Sequence, residues 1–229
     1  MSKYLWCEDS KSGYQFWRAI FGELFPDVVV ETKGSNTGLW RAAHASLSDK
    51  DQYYIVMDSA VDNPDVLREM KRLTTEVSEK DNVRMIRLHS FEYALLSFRL
   101  LEQWVFAEED NLKDSRQDLL KSRELFVSCV SSMTDGASLQ AFREAFDSYE
   151  NKNSEQIAAK LLYEITRNTG FETNKTKLGE CFVNTCCEWE ERQDDDICGL
   201  DADRISSAEK AKLLVEHSVI NEALKGVGL

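Results

Sequence analysis

Proline and glycine are scarce in this chain of 229 residues, at 2 and 10 respectively. That scarcity excludes collagen-like and low-complexity classes and argues against an all-β sandwich, whose many turns draw on both residue types. No apolar run approaches the ~18 uninterrupted residues that a membrane span needs. The opening stretch Met1 to Asp9 carries one lysine and a short apolar run broken by Glu8 and Asp9, a pattern of neither a signal nor a transit peptide. The expectation is a soluble, cytoplasmic protein with no membrane partner. Basic residues are also in deficit: 28 Lys and Arg face 41 Asp and Glu, a formal charge of −13. Such a balance excludes strong, metal-free, non-specific binding to nucleic acid, which depends on neutralising phosphates with Lys and Arg.

The deficit is local. Residues 1–100 hold 13 basic and 15 acidic residues, whereas residues 101–229 hold 15 and 26. With 42% apolar residues the chain has the material for a sizeable core. Tyr4 to Cys7 reads as a strand, followed by Gly13, Phe16, Trp17, Ile20, Phe21, Leu24 and Phe25 at helical spacing up to Pro26. Val28 to Val30 is a second strand, followed by the polar loop Lys33 to Gly38 and a helix bearing Leu39, Trp40, Ala43 and Leu47. Tyr53 to Met57 is a third strand, closed by Asp58. After Asn63-Pro64 comes a helix with Val66, Leu67, Met70, Leu73 and Val77 on one face, then a fourth strand from Val83 to Leu88. Strands alternating with helices imply a parallel, Rossmann-like sheet with right-handed crossovers.

From Phe91 onward the pattern is helical: Phe91 to Phe106, Gln117 to Met133, Ser138 to Tyr149, Ser154 to Asn168 and Ser206 to Leu224. The predicted class is α/β, an N-terminal parallel-sheet domain over 1–90 followed by an all-helical domain over 91–229 that contains a Cys-rich loop at 181–198.

In parallel sheets the ligand crevice lies outside the carboxyl ends of the strands. Glu8 and Asp58 fall there. Two carboxylates so placed suit Mg²⁺ or Mn²⁺, hard cations that bind through one or two carboxylates plus water and phosphate oxygens. Taken singly, Glu8, Asp9, Asp58 and Asp62 are also explained as turn or helix N-terminal acids. Jointly, Glu8 after the first strand, the glycine loop Val29-Val30-Glu31-Thr32-Lys33-Gly34-Ser35 and Ile55-Val56-Met57-Asp58 resemble, in order and spacing, the glutamate, glycine and aspartate motifs of the Toprim superfamily. That superfamily includes topoisomerases, primases, ribonuclease maturases and overcoming-lysogenization-defect nucleases. The likeness extends to Ser90-Phe91-Glu92-Tyr93-Ala94-Leu95-Leu96, similar to a stretch in Toprim-like proteins of phage-defence and mobile-element loci, and covers residues 4–96.

The resemblance implies a divalent-metal-dependent nuclease cleaving RNA or DNA, with Glu8 as general acid or base or as metal ligand, and Asp58 as ligand. The superfamily usually shows Asp-x-Asp after its third strand, whereas here Ala60 stands two residues after Asp58. Either Asp62 or Glu92 is then the replacement ligand, or the domain is degenerate and the chain is a non-catalytic interaction protein whose acidic helical half docks on a larger partner. Acids after strands one and three also resemble the Mg²⁺ pocket of response-regulator receiver domains, with Ser90 after strand four. That fold's fifth strand with Lys-Pro is absent from the pattern.

For a nucleic-acid substrate the candidate phosphate contacts are Lys11, beside Glu8, and Lys33, in the glycine loop. Cys181, Cys186, Cys187 and Cys198, with His217 as a further ligand, are candidates for Zn²⁺, although the spacing lacks the paired C-x2-C of strong zinc signatures. The alternative is ordinary buried thiols.

Overall fold

β-Branched and aromatic residues crowd the four apolar runs, and each forms a strand: β1 (Lys3–Cys7), β2 (Val28–Thr32), β3 (Gln52–Asp58) and β4 (Val83–Leu88). The amphipathic stretches between them form α1 (Ser12–Leu24), α2 (Asn36–Ala45) and α3 (Pro64–Val77). The computed structural model describes residues 1–45, 47–109, 111–133, 139–146, 149–174, 176–186, 198–200 and 204–229. All strand pairs are parallel, in the order β2-β1-β3-β4. The order therefore reverses between β1 and β3, and this is where a doubly wound sheet opens its crevice. Cys7 at the end of β1 lies opposite Val56. β3 runs two residues further, so Asp58 projects past the point where β1 ends and Glu8 follows.

Alternation along the strands sends side chains to two faces. Leu5, Cys7, Tyr54, Val56, Ile86 and Leu88 pack with Phe16, Trp17, Ile20 and Phe21 of α1. Trp6, Tyr53, Ile55 and Met57 meet Leu39 and Ala43 of α2 and Leu73 and Val77 of α3. Burial of each large apolar side chain contributes about 1.5–3 kcal/mol before the entropy of ordering it is counted. α3 has a matched start, with Pro64 as its first residue and the Asn63 side chain accepting from the Asp65 amide at 3.1 Å. α2 begins inside the predicted polar loop, at Asn36. Gly34 ahead of it has φ +75°, the left-handed region that favours glycine.

The remainder is helical: α4 (Phe91–Leu96), α5 (Leu101–Val105), α6 (Asn111–Ser115), α7 (Gln117–Ser131), α8 (Gln140–Ala145), α9 (Ser154–Thr166), α10 (Glu180–Val183), α11 (Ser207–Glu216) and α12 (Ile220–Lys225). Among the described residues no strand follows β4, only an isolated bridge between Asn174 and Lys177. The expected single helix from Phe91 to Phe106 is two, because the buried Arg123 of α7 donates to the carbonyls of Leu96 (2.8 Å) and Phe98 (2.7 Å). Those carbonyls are then held by Arg123 where the chain turns between α4 and α5. The expected helix from Ser206 to Leu224 also breaks. At its break the His217 carbonyl accepts from the Arg99 amide at 2.9 Å, and the Val219 amide donates to Ser97 Oγ at 3.2 Å.

The apolar cluster that begins at Leu5 continues without interruption through Phe98, Trp104, Phe126 and Leu161 to Leu224. A polar tie joins the same two parts of the chain. Asp62 accepts from the Ser154 amide (2.8 Å) and hydroxyl at the start of α9, and pairs with Arg143 of α8 at 3.4 Å. Beside it, Asn63 Nδ2 donates to Glu155 Oε2 at 2.6 Å. The Asp62 side chain is only 6% exposed, so its loss leaves the Ser154 amide and hydroxyl without their acceptor and removes the carboxylate partner of the partly buried Arg143 guanidinium. Asp62→Ala is expected to lower stability by about 2–4 kcal/mol, a fall in Tm of about 2–4 °C for each kcal/mol. An unchanged thermal transition by circular dichroism would show that the tie contributes nothing.

Candidate functional site

Five carboxylates from four places in the chain converge at the carboxyl ends of β1 and β3. Glu8 and Asp9 follow β1 directly, and Asp58 is the last residue of β3. Glu92 enters from the first turn of α4, which Ser90 starts by accepting from the Tyr93 amide at 3.1 Å. Glu155 enters from the first turn of α9, whose capping box pairs Asn153 with Gln156 and whose position is set by Asp62 and Asn63. An acid in the first turn of a helix is favoured by the macrodipole, which accounts for Glu92 and Glu155 singly but not for their meeting at one point.

Their electrostatic state records the crowding. Burial raises the Glu8 carboxyl to about 7, with the charge of Asp9 next in importance, a hydrogen bond with Asp58 acting in the opposite direction, and Glu155 and Glu92 adding to the rise. Asp58 is raised well above the usual carboxylate range by burial first, and then by Glu8, Asp9, Glu155 and Glu92. Burial raises Asp9 and Glu155 as well, the latter opposed by the bond from Asn63. Burial is the leading cause of all four shifts, and the charges that add to it are those of other carboxylates. Two unit charges ~5 Å apart at an effective dielectric of 20 repel by about 3 kcal/mol. Burial and this repulsion together hold the carboxyls of Glu8 and Asp58 above their ordinary range.

The donor set is hard oxygen with surplus negative charge, which fits Mg²⁺ or Mn²⁺. Glu8 and Asp58, adjacent and hydrogen-bonded, are the residues that would hold such an ion, with Glu92 and Glu155 within electrostatic reach. Among the described residues no three His, Cys, Asp or Glu side chains are already drawn into a closed ligand cage. A Mg²⁺ site does not require one, since that ion keeps several waters.

The other predicted site residues are distributed as follows. Asp62 is directed away from the cluster by its bonds to Ser154 and Arg143, while Glu92 is within it. Ala60, where the expected motif would have a second Asp, is fully buried. Lys11 lines a cavity of about 340 Å³ beside Glu8, Asp9 and Glu92. Lys33 lies instead over the Trp6 ring, 4.3 Å from its centroid, and pairs with Glu31 at 2.7 Å. Cys181 starts the second position of α10, Cys186 is buried, and the buried Cys198 thiol donates to the Trp104 carbonyl at 3.4 Å. His217 Nδ1 faces the Arg99 guanidinium at 3.4 Å. Cys187 lies outside the described residues. Glu155 was not foreseen from the sequence. Its helix start was legible in Asn153-Ser154-Glu155-Gln156, but its destination is set by the contact between Asp62 and that start.

Comparison with family models, with curated proteins and with solved structures finds no match to this chain.

The raised carboxyls set a direction for stability against pH. Glu8 binds its proton more tightly folded than unfolded, so its contribution is fully present below about pH 4.5 and is lost as pH rises through about 7. Glu8→Gln and Asp58→Asn are therefore expected to raise stability by about 1–3 kcal/mol at pH 8 and to have little effect at pH 4.5. Equal effects at both pH values in urea denaturation would contradict the buried repulsion.

Proposed function

We propose that the chain is a divalent-cation-dependent phosphodiesterase acting on RNA or DNA, with a site of Toprim type. The observation that carries this reading is the hydrogen-bonded pair of Glu8 and Asp58 at the reversal of strand order, with Asp9, Glu92 and Glu155 within electrostatic reach. A bound Mg²⁺ or Mn²⁺ would neutralise the acids and the phosphate charge and lower the pKa of water in its shell. Asp58 is the better placed of the pair to stay bound to it, since it ends β3 and its charge is opposed by all four other acids. Glu8 is the residue placed for proton transfer: it takes the proton of the attacking water, or gives one to the leaving oxygen as the P–O bond breaks. Glu155 takes the place of the acid that Ala60 omits, a role the sequence assigned to Asp62 or Glu92. The −13 net charge disfavours approach of a polyanion, and a cation at the site is the simplest remedy.

The test is cleavage of single- and double-stranded RNA and DNA with Mg²⁺ or Mn²⁺. Glu8→Gln and Asp58→Asn are expected to lower the rate at least about 100-fold, Glu155→Gln about 10-fold or more, and the exposed Glu79→Gln not at all. Millimolar Mn²⁺ is expected to raise the Tm of the parent and not of the Asp58→Asn protein. Cleavage that persists unchanged in both Glu8→Gln and Asp58→Asn sinks the reading, as does absence of both cleavage and Mn²⁺ binding. The latter outcome is the one expected of a non-catalytic interaction protein.

A further inference from the structure

The cavity of about 340 Å³ has two chemically opposite walls. On one side are Glu8, Asp9 and Glu92, already assigned to the acidic cluster. On the other are the start of α1, from Ser10 to Gly13, and the loop Gly34 to Asn36. This second wall is made of donors. The amides of α1 ahead of Gln15 have no acceptor along their own helix, no side chain caps them, and the first turn contains no acid. The Ser12 residue is 5% exposed, and its hydroxyl is buried with no hydrogen-bond partner. An orphaned buried hydroxyl costs about 1–3 kcal/mol, so its persistence points to a partner that the folded chain alone does not supply. Asn36 Oδ1, on the same wall, is also buried and unpartnered. A half-turn of that amide presents its N–H instead.

Asp9 does not fill this need. Its carboxylate lies so close to Gly13 that a Cβ there would stand 2.2 Å from Oδ2, yet its raised pKa is set by burial alone, with no hydrogen bond holding its charge. Gly13 thus makes room for the Asp9 side chain, which any larger residue at this position would collide with. Lys11, exposed at the lip, supplies the nearest positive charge.

We propose that this wall seats a phosphate group of the substrate backbone, bound by the α1 amides, the Ser12 hydroxyl and Lys11, alongside the acids. The parentage of that phosphate rests on the phosphodiesterase reading above; the seat itself rests on the donors. Helix amino ends with free amides bind phosphate through both hydrogen bonds and the macrodipole. Glu8, Asp9 and Glu92 across the cavity repel an anion, so occupancy requires either a cation between the two walls or removal of acid charge.

The second condition gives a test free of metal and of turnover. The Glu8→Gln, Asp58→Asn double variant, which the buried repulsion predicts to be stable, is titrated with inorganic phosphate by calorimetry in the presence of a chelator. Phosphate binding is expected in the double variant and is expected to weaken about fivefold to tenfold on adding Ser12→Ala, a change that a helix start tolerates. Lys11→Ala is expected to weaken it further, and more so at low salt than at high salt. Absence of phosphate binding to the double variant overturns the seat, as does affinity unchanged by Ser12→Ala. Cation-dependent cleavage by the parent, lost in Glu8→Gln, alongside no phosphate binding in the double variant overturns the seat and leaves the phosphodiesterase standing. Phosphate binding sensitive to Ser12→Ala, without cleavage by the parent, supports the seat and removes that enzyme.

Discussion

Carboxylates buried beside one another repel, and a fold that brings five of them to one place must compensate elsewhere or keep them partly protonated. Here it does the second. Glu8 and Asp58 share a hydrogen bond with both carboxyls raised, and the pKa of the first lies near neutrality. The proposed roles of the site rest on that constraint: a surplus of negative charge that a hard cation would offset, and a repulsion that a bare polyanion would meet. Native proteins stand only about 5–15 kcal/mol above unfolding, so repulsion of a few kcal/mol has to be outweighed by the continuous apolar core around the sheet.

The fold places the acids by two different routes. Sheet topology brings Glu8 and Asp58 together, because reversal of strand order at β1 and β3 puts the ends of two chain-distant strands side by side. Helix starts bring the rest, with Glu92 after the Ser90 cap and Glu155 after the Asn153 cap. Asp62 and Asn63 join these routes, one holding the start of α9 and the other the Glu155 side chain. A residue expected to bind metal thus acts by positioning another that faces the cluster. The helical part of the chain is in this respect a component of the site and not an appendage to it.

The four strands and three helices of the first ninety residues were legible because period-two and period-3.6 apolar patterns are local properties of the chain. Glu8 and Asp58 were legible for the same reason, since strand ends define the crevice. What could not be read depended on distant partners. Arg123 taking the Leu96 and Phe98 carbonyls divides a stretch that is helical by its own periodicity. Lys33 was read as a crevice cation, but Glu31, two residues earlier, and Trp6, opposite Glu31 on β1, hold it. Glu155 is invisible as a site residue until α9 is docked. The acidic excess of the second part likewise has one local meaning, in that one of its acids is directed into the crevice.

The most direct measurement of the central claim is a carboxyl-carbon NMR titration of the selectively labelled protein, with and without saturating Mg²⁺. The account predicts that without metal the Glu8 carboxyl titrates near pH 7 and moves down when the neighbouring charge is removed in Asp9→Asn, while Mg²⁺ moves it down by at least about two pH units as the cation replaces the proton. A Glu8 carboxyl that titrates near its ordinary 4.5 and is indifferent to both Mg²⁺ and Asp9→Asn would contradict it.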